Sequence, residues 1–121
     1  MKFVVLLAET EPEAWEAATA EEREAVYAAH LAFERAVAER GSIVAGEALE
    51  MPSTARTLSP ATASGRVVTD GPYAETAEKL GGFMVIDVAD LDEAVELCHL
   101  LPAAYTIEVR PVMDLEDYGA E

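Results

Sequence analysis

The stretch "KFVVLL", residues 2–7, is apolar on both alternating faces: Phe3, Val5 and Leu7 point one way along a strand, Val4 and Leu6 the other. A strand of this kind sits in the middle of a sheet and has to be covered on both sides. The rest of the chain supplies one cover. Thr19 followed three positions later by Glu22 forms a capping-box pattern, and a helix is expected to run from there to Arg40, where Gly41 stops it. On that helix Val26, His30, Phe33 and Val37 follow steps of four, three and four, so they share one apolar stripe and His30 points to the core side. Asp90, with Glu93 at the third helical position, starts a second helix that Pro102 ends; Leu91, Ala94, Val95, Cys98 and Leu101 are expected on its inner face.

Strands fill the intervals. An acidic linker or short helical turn over residues 9–18 leads to the first helix, and "SIVAGEAL", residues 42–49, reads as the second strand. Residues 55–58 and 65–70 form a hairpin-like pair around the loop "SPATASG". Residues 82–88 make a further strand, and "YTIEVRPV" a last one, in which Ile107 and Val109 alternate with Glu108 and Arg110. The order strand, helix, strand, two short strands, strand, helix, strand predicts an α+β chain with a ferredoxin-like antiparallel sheet and two helices on one face. The other face is left bare, and a second copy of the same sheet is its economical cover, so a homodimer with sheets face to face is expected.

The totals restrict what such a fold is for. At 121 residues the chain is one domain, residues 1–121, long enough to bury a core without metal or disulfide. Its 24 acidic and 8 basic residues leave a net charge of −16, which repels polyanions and argues against nucleic acid as a partner. No run approaches the ~20 apolar residues of a membrane span, so no membrane partner is expected. The apolar run at the N-terminus is shorter than a signal-peptide core, and a lone Cys98 suits a reducing compartment, so the expected location is cytoplasmic.

Chemistry-bearing residues are few. His30, Cys98 and His99 are dispersed without zinc-ligand spacing, and Gly81-Gly82 opens a strand rather than a helix, so neither a metal nor a dinucleotide cofactor is expected. No Ser or Cys stands beside a base as in a hydrolase triad. Asp70-Gly71-Pro72-Tyr73 is a stiff, tight exit from a strand, and its Gly and Pro are explained by turn geometry alone. Arg56, Arg66 and Arg110 carry the donor forks that anchor a carboxylate or phenolate, although neutralising neighbours such as Glu47 or Glu108 is the commoner use of arginine in so acidic a chain. His99, near the end of the second helix, suits a capping role. His30 is either a core histidine with a hydrogen-bond partner or an acid–base group.

Several separated stretches, "MKFVVLLAE", "VAGEAL", "VVTDGPYAETAEKLGGFMVIDVADLDEAV" and "IEVRPV", together resemble the YCII-related family, in its DGPF-motif branch. The resemblance implies a ferredoxin-like fold, dimers of the dimeric α+β barrel kind, and either a small enzyme of aromatic degradation or a non-catalytic module that binds a metabolite or acts with a sigma factor. It places a His/Asp pair in a cleft, which by the motifs "AHLAF" and "DGP" falls on His30 and Asp70, with Tyr73, Arg56 and Arg110 as candidate walls and anchors around a small organic ligand. Elimination or isomerisation is the reaction class such a pair suits. Two departures stand out: Tyr73 replaces the motif's Phe, and the branch's "ETKE" reads Glu75-Thr76-Ala77-Glu78, with Lys79 one step later.

Overall fold

The computed structural model describes residues 1–9, 11, 13–73 and 80–119, so the departure at residues 75–79 lies outside the described residues. In chain order the elements are β1 (Lys2–Glu9), α1 (Ala14–Ala17), α2 (Ala20–Arg40), β2 (Ser42–Ala48), β3 (Arg56–Leu58), β4 (Val68–Asp70), β5 (Leu80–Asp87), α3 (Leu91–Cys98) and β6 (Tyr105–Pro111). Four strands form an antiparallel sheet in the order β2-β5-β1-β6, and β3 and β4 make a separate hairpin. The doubly apolar strand is indeed internal. β1 and β2 flank β5 although a helix joins them in sequence, which is the split βαβ arrangement of the ferredoxin-like fold.

Register sorts the strand residues between the two faces. Phe3 stands opposite Ile86 and Val5 opposite Met84, and this side packs on Phe33 and Val37 of α2 and on Ala94, Leu97 and Cys98 of α3. Phe3, Val5, Phe33, Val37 and Ile86 are wholly excluded from solvent, and each such side chain contributes about 1.5–3 kcal/mol by burial. On the other side Val4 faces Val85 and Leu6 faces Phe83, and all four are only half-buried. α2 and α3 cover the same face, and among the described residues no helix covers the second.

The predicted caps form. Thr19 Oγ1 accepts from the Glu22 N–H at 3.1 Å while Glu22 Oε1 accepts from the Thr19 N–H at 2.9 Å, and Asp90 Oδ1 accepts from the Glu93 N–H at 2.9 Å. Caps of this type are worth about 1 kcal/mol each. Gly41 does end α2, but not as a left-handed glycine. Its φ of 178° is ordinary extended backbone. What it provides is space, because a Cβ here would lie 1.9 Å from the Asp87 carbonyl oxygen.

Two expectations shift. The inner face of α3 is Ala94, Leu97 and Cys98, followed by Leu101, whereas Leu91 and Val95 are 41% and 43% exposed. Leu97 replaces the two outer residues because the helix turns its 94/97/98 ridge to the sheet, leaving Val95 at the margin beside β6. The helix also ends at Cys98, capped by His99, and bonds from the Leu100 and Leu101 N–H groups to the Leu97 and Cys98 carbonyls tighten the last turn ahead of Pro102. In the hairpin only three pairs form, since Ser59 Oγ takes the Val67 N–H where another ladder bond would begin.

Candidate functional site

At the end of the sheet where β1 finishes and β5 and β6 begin, a cavity of about 590 Å³ opens between the strands and the N-terminal half of α2. That volume falls within the range of small-molecule sites, ~300–1,000 Å³. Its floor is cleared by glycines. Gly46 pairs with Met84 and Gly82 with Leu7, so both occupy positions that face the helices, where a larger residue would fill the space. A Cβ at Gly82 would come within 3.0 Å of the Glu47 carbonyl oxygen, and one at Gly46 within 2.9 Å of Met84 Cγ.

His30 enters this cavity from α2, one helical step beyond the buried Phe33 and Val37 stripe. Its Nε2 lies 3.3 Å from the hydroxyl of Tyr105, and the two rings meet edge-on with centroids 5.7 Å apart. Tyr105 is the first residue of β6 and stands opposite Glu9, the last residue of β1. Burial lowers the His30 pKa from its ordinary 6.5, and the Glu34 carboxylate one turn along α2 opposes that shift. The imidazole is therefore mainly neutral at neutral pH and has one ring nitrogen free to accept a proton. Burial and the nearby Glu9 charge raise the Tyr105 pKa, so the phenol keeps its proton, and burial raises that of Glu9.

The outer wall is aromatic. Trp15 of α1 and Tyr27 of α2 line the cavity and meet edge-on at 5.6 Å. Arg23 fixes this wall: its guanidinium lies 5.1 Å from the Trp15 ring centroid and donates to the Trp15 carbonyl at 2.7 and 3.1 Å. A shallower hollow of about 410 Å³ lies between α3 and β6, where burial pushes the Cys98 thiol up to about 11, too high for it to act as a nucleophile at neutral pH.

Of the residues expected at the site, His30 alone lines the cavity. Asp70 ends β4, directly across the hairpin from Arg56, and its carboxylate forms an ion pair with Arg56 Nε at 3.1 Å while remaining 87% exposed. Within one chain Asp70 thus pairs with Arg56, and the imidazole's partner is Tyr105. Tyr73 is 86% exposed beyond the hairpin. Arg110 pairs with Glu108 on the face of β6 opposite Tyr105, the neutralising use expected of it, and Arg66 donates to the Ser59 carbonyl at 2.9 Å. The sequence does hold a signal for the missed residues. The alternation of Ile107 and Val109 extends back to Tyr105, and Tyr27 and Glu34 flank His30 by three and four positions on α2.

An uncharacterised protein of Rhizobium meliloti (strain 1021) is 42% identical over 66 residues, which are 51% of this chain and 53% of that protein, so the match spans about half of either. Among solved structures, the 5-chloro-2-hydroxyhydroquinone dehydrochlorinase of Burkholderia phenoliruptrix AC1100, in complex with 2,5-dihydroxybenzoquinone, aligns over 96% of this chain and 98% of its own with 19% identity and a TM-score of 0.44. The YCII-related domain matches residues 1–116, from the doubly apolar first strand to beyond the last one, and the chain belongs to the YCII-related family.

Proposed function

We propose that this protein takes a small organic molecule into the cavity beside α2 and moves a proton on it, with His30 as the acid–base group and Tyr105 as its hydrogen-bonding partner. One observation carries the reading: an imidazole nitrogen 3.3 Å from a phenol oxygen, inside a cavity whose floor is kept open by glycines. A base that takes a proton from carbon and returns it elsewhere performs isomerisation, and one that takes it as a leaving group departs performs elimination. Tyr105 donates to whichever oxygen gains charge in the step. In this reading Asp70 holds Arg56 in the hairpin rather than orienting the imidazole.

The working unit in this proposal is a cytoplasmic homodimer of the DGPF-motif branch, with two sheets closing face to face as a dimeric α+β barrel. The half-buried Val4, Leu6, Phe83 and Val85 support the pairing, since they form an apolar strip that no described helix covers. The lone thiol of Cys98 is what a reducing cytoplasm leaves.

The test needs no known substrate. A panel of small ketones and enones is incubated with the protein in D₂O, and loss of the C–H signal next to the carbonyl is followed by NMR. Exchange by the native protein should fall about 10²–10⁴-fold in His30→Asn. It should slow in Tyr105→Phe and persist in Asp70→Asn. Equal exchange by His30→Asn and the native protein would remove the proposal, and binding that survives His30→Asn without any exchange would leave a non-catalytic metabolite-binding module.

A further inference from the structure

We propose that the cavity selects an organic cation, a flat apolar body bearing an amine, and excludes carboxylates and phosphates. This rests on the proposed function, because it names the ligand class of the same site. The sign follows from what lines the cavity. Glu9 reaches it from β1 and Glu34 from α2, and none of the described residues that line it is Lys or Arg. The Glu9 carboxyl lies against Gly81, where a Cβ would sit 3.2 Å from Oε1.

Three of the arginines are engaged elsewhere. Arg23 is spent on the Trp15 ring and on the carbonyls of Trp15 and Glu16, Arg56 on Asp70, and Arg110 on Glu108. An anion entering here would meet two carboxylates and, among the described lining residues, no ammonium or guanidinium, in a protein whose net charge of −16 already repels it at a distance. For a cation the same groups are favourable. Trp15 and Tyr27 offer apolar area for the body of the ligand, and the faces of aromatic rings attract an ammonium as well. His30, mainly neutral, adds no positive charge to oppose it.

Three probes of one shape separate charge from fit: 2-phenylethylamine, 2-phenylethanol and phenylacetate, each titrated into the full chain at low salt. The readouts are the His30 ring-proton shifts and Trp15 fluorescence. The amine should bind about tenfold or more tightly than phenylacetate, a gap that narrows as salt is added. In the double variant Glu9→Gln with Glu34→Gln the gap should shrink, while the affinity for 2-phenylethanol stays the same and reports an intact cavity. If phenylacetate binds as tightly as the amine, or the alcohol binds and the amine gains nothing over it, the cation assignment is wrong and the cavity reading stands. If none of the three perturbs His30 or Trp15, the cavity accepts no ring-sized ligand, and both readings fall together.

Discussion

Replacing Gly41 by Ala should be far more damaging than its ordinary backbone angles suggest. The added Cβ would stand 1.9 Å from the Asp87 carbonyl oxygen, 3.0 Å from its carbon and 3.2 Å from Val88 Cγ1, where ordinary contact begins at 3.4 Å. The obstacle is backbone, so no side-chain rotation relieves it. β2 has to withdraw from β5 at the Ser42–Asp87 pair, next to the bond between the Val88 N–H and the Met1 carbonyl. Overpacking of this kind costs about 1–3 kcal/mol and each lost backbone bond about 1 kcal/mol, while Ala recovers up to ~1 kcal/mol by restricting the unfolded chain. The net is about 3 kcal/mol out of a typical total of roughly 5–15, or a fall in Tm of about 10 °C or more. Gly71 is the control. It has a φ of 99° and open space around it, so Gly71→Ala should cost only the strain of a left-handed residue, about 1–2 kcal/mol. Urea and thermal unfolding followed by circular dichroism would rank the two. A Gly41→Ala protein within 1 kcal/mol of the native one, or no worse than Gly71→Ala, would show that close approach is not why glycine is needed there.

Other expectations concern titration. Because the folded pKa of His30 is below 6.5, the unfolded chain binds its proton first on acidification, so stability is full above about 6.5 and is lost as pH falls through that window. His30→Asn should flatten this slope in unfolding experiments at pH 5 to 8, and a slope that persists unchanged would assign it to other groups. Glu9 runs the opposite way: its raised carboxyl pKa means stability is lost as pH rises from 4.5, and Glu9→Gln should remove that loss. Glu34→Gln removes the charge that supports the imidazolium, so the His30 pKa measured by NMR should move lower still; a rise would contradict the geometry. Cys98, with its thiol near 11, should react slowly with a disulfide reagent at pH 8 and rapidly once urea unfolds the chain, which makes it a built-in probe of unfolding.

The fold was legible where local signals agree with one another. The Thr19/Glu22 box, the Val26-to-Val37 stripe and the two-faced first strand each specify an element, and together they fix a sheet with helices on one side. Other features depend on distance through space, which periodicity does not carry. Leu97 rather than Val95 packs on the sheet because of how α3 is rotated, and nothing in the helix itself sets that angle. Gly41 reads as an ordinary helix stop, and only the approach of Asp87, 46 residues later in the chain, shows its other reason. The candidate site divides in the same way. His30 is visible from the apolar stripe, but its partner comes from a strand 75 residues away, and Asp70 is drawn to Arg56 by hairpin register. Three of the glycines that make the cavity, Gly46, Gly81 and Gly82, look like weak points of strands until the helix above them is in place.

The central position of β1 also sets a schedule for the chain's birth. Its neighbours in the sheet are β5 and β6, so the most apolar strand leaves the ribosome well before the segments it bonds to. At about 5–20 residues per second, roughly 5–20 s pass before β6 emerges. Through that interval Phe3, Val4, Val5, Leu6 and Leu7 have no strand beside them, and helix α2 can form but has no sheet to lie on. A nascent chain arrested before residue 80 would hold a bare apolar strand and is the form that a chaperone, or aggregation, would meet.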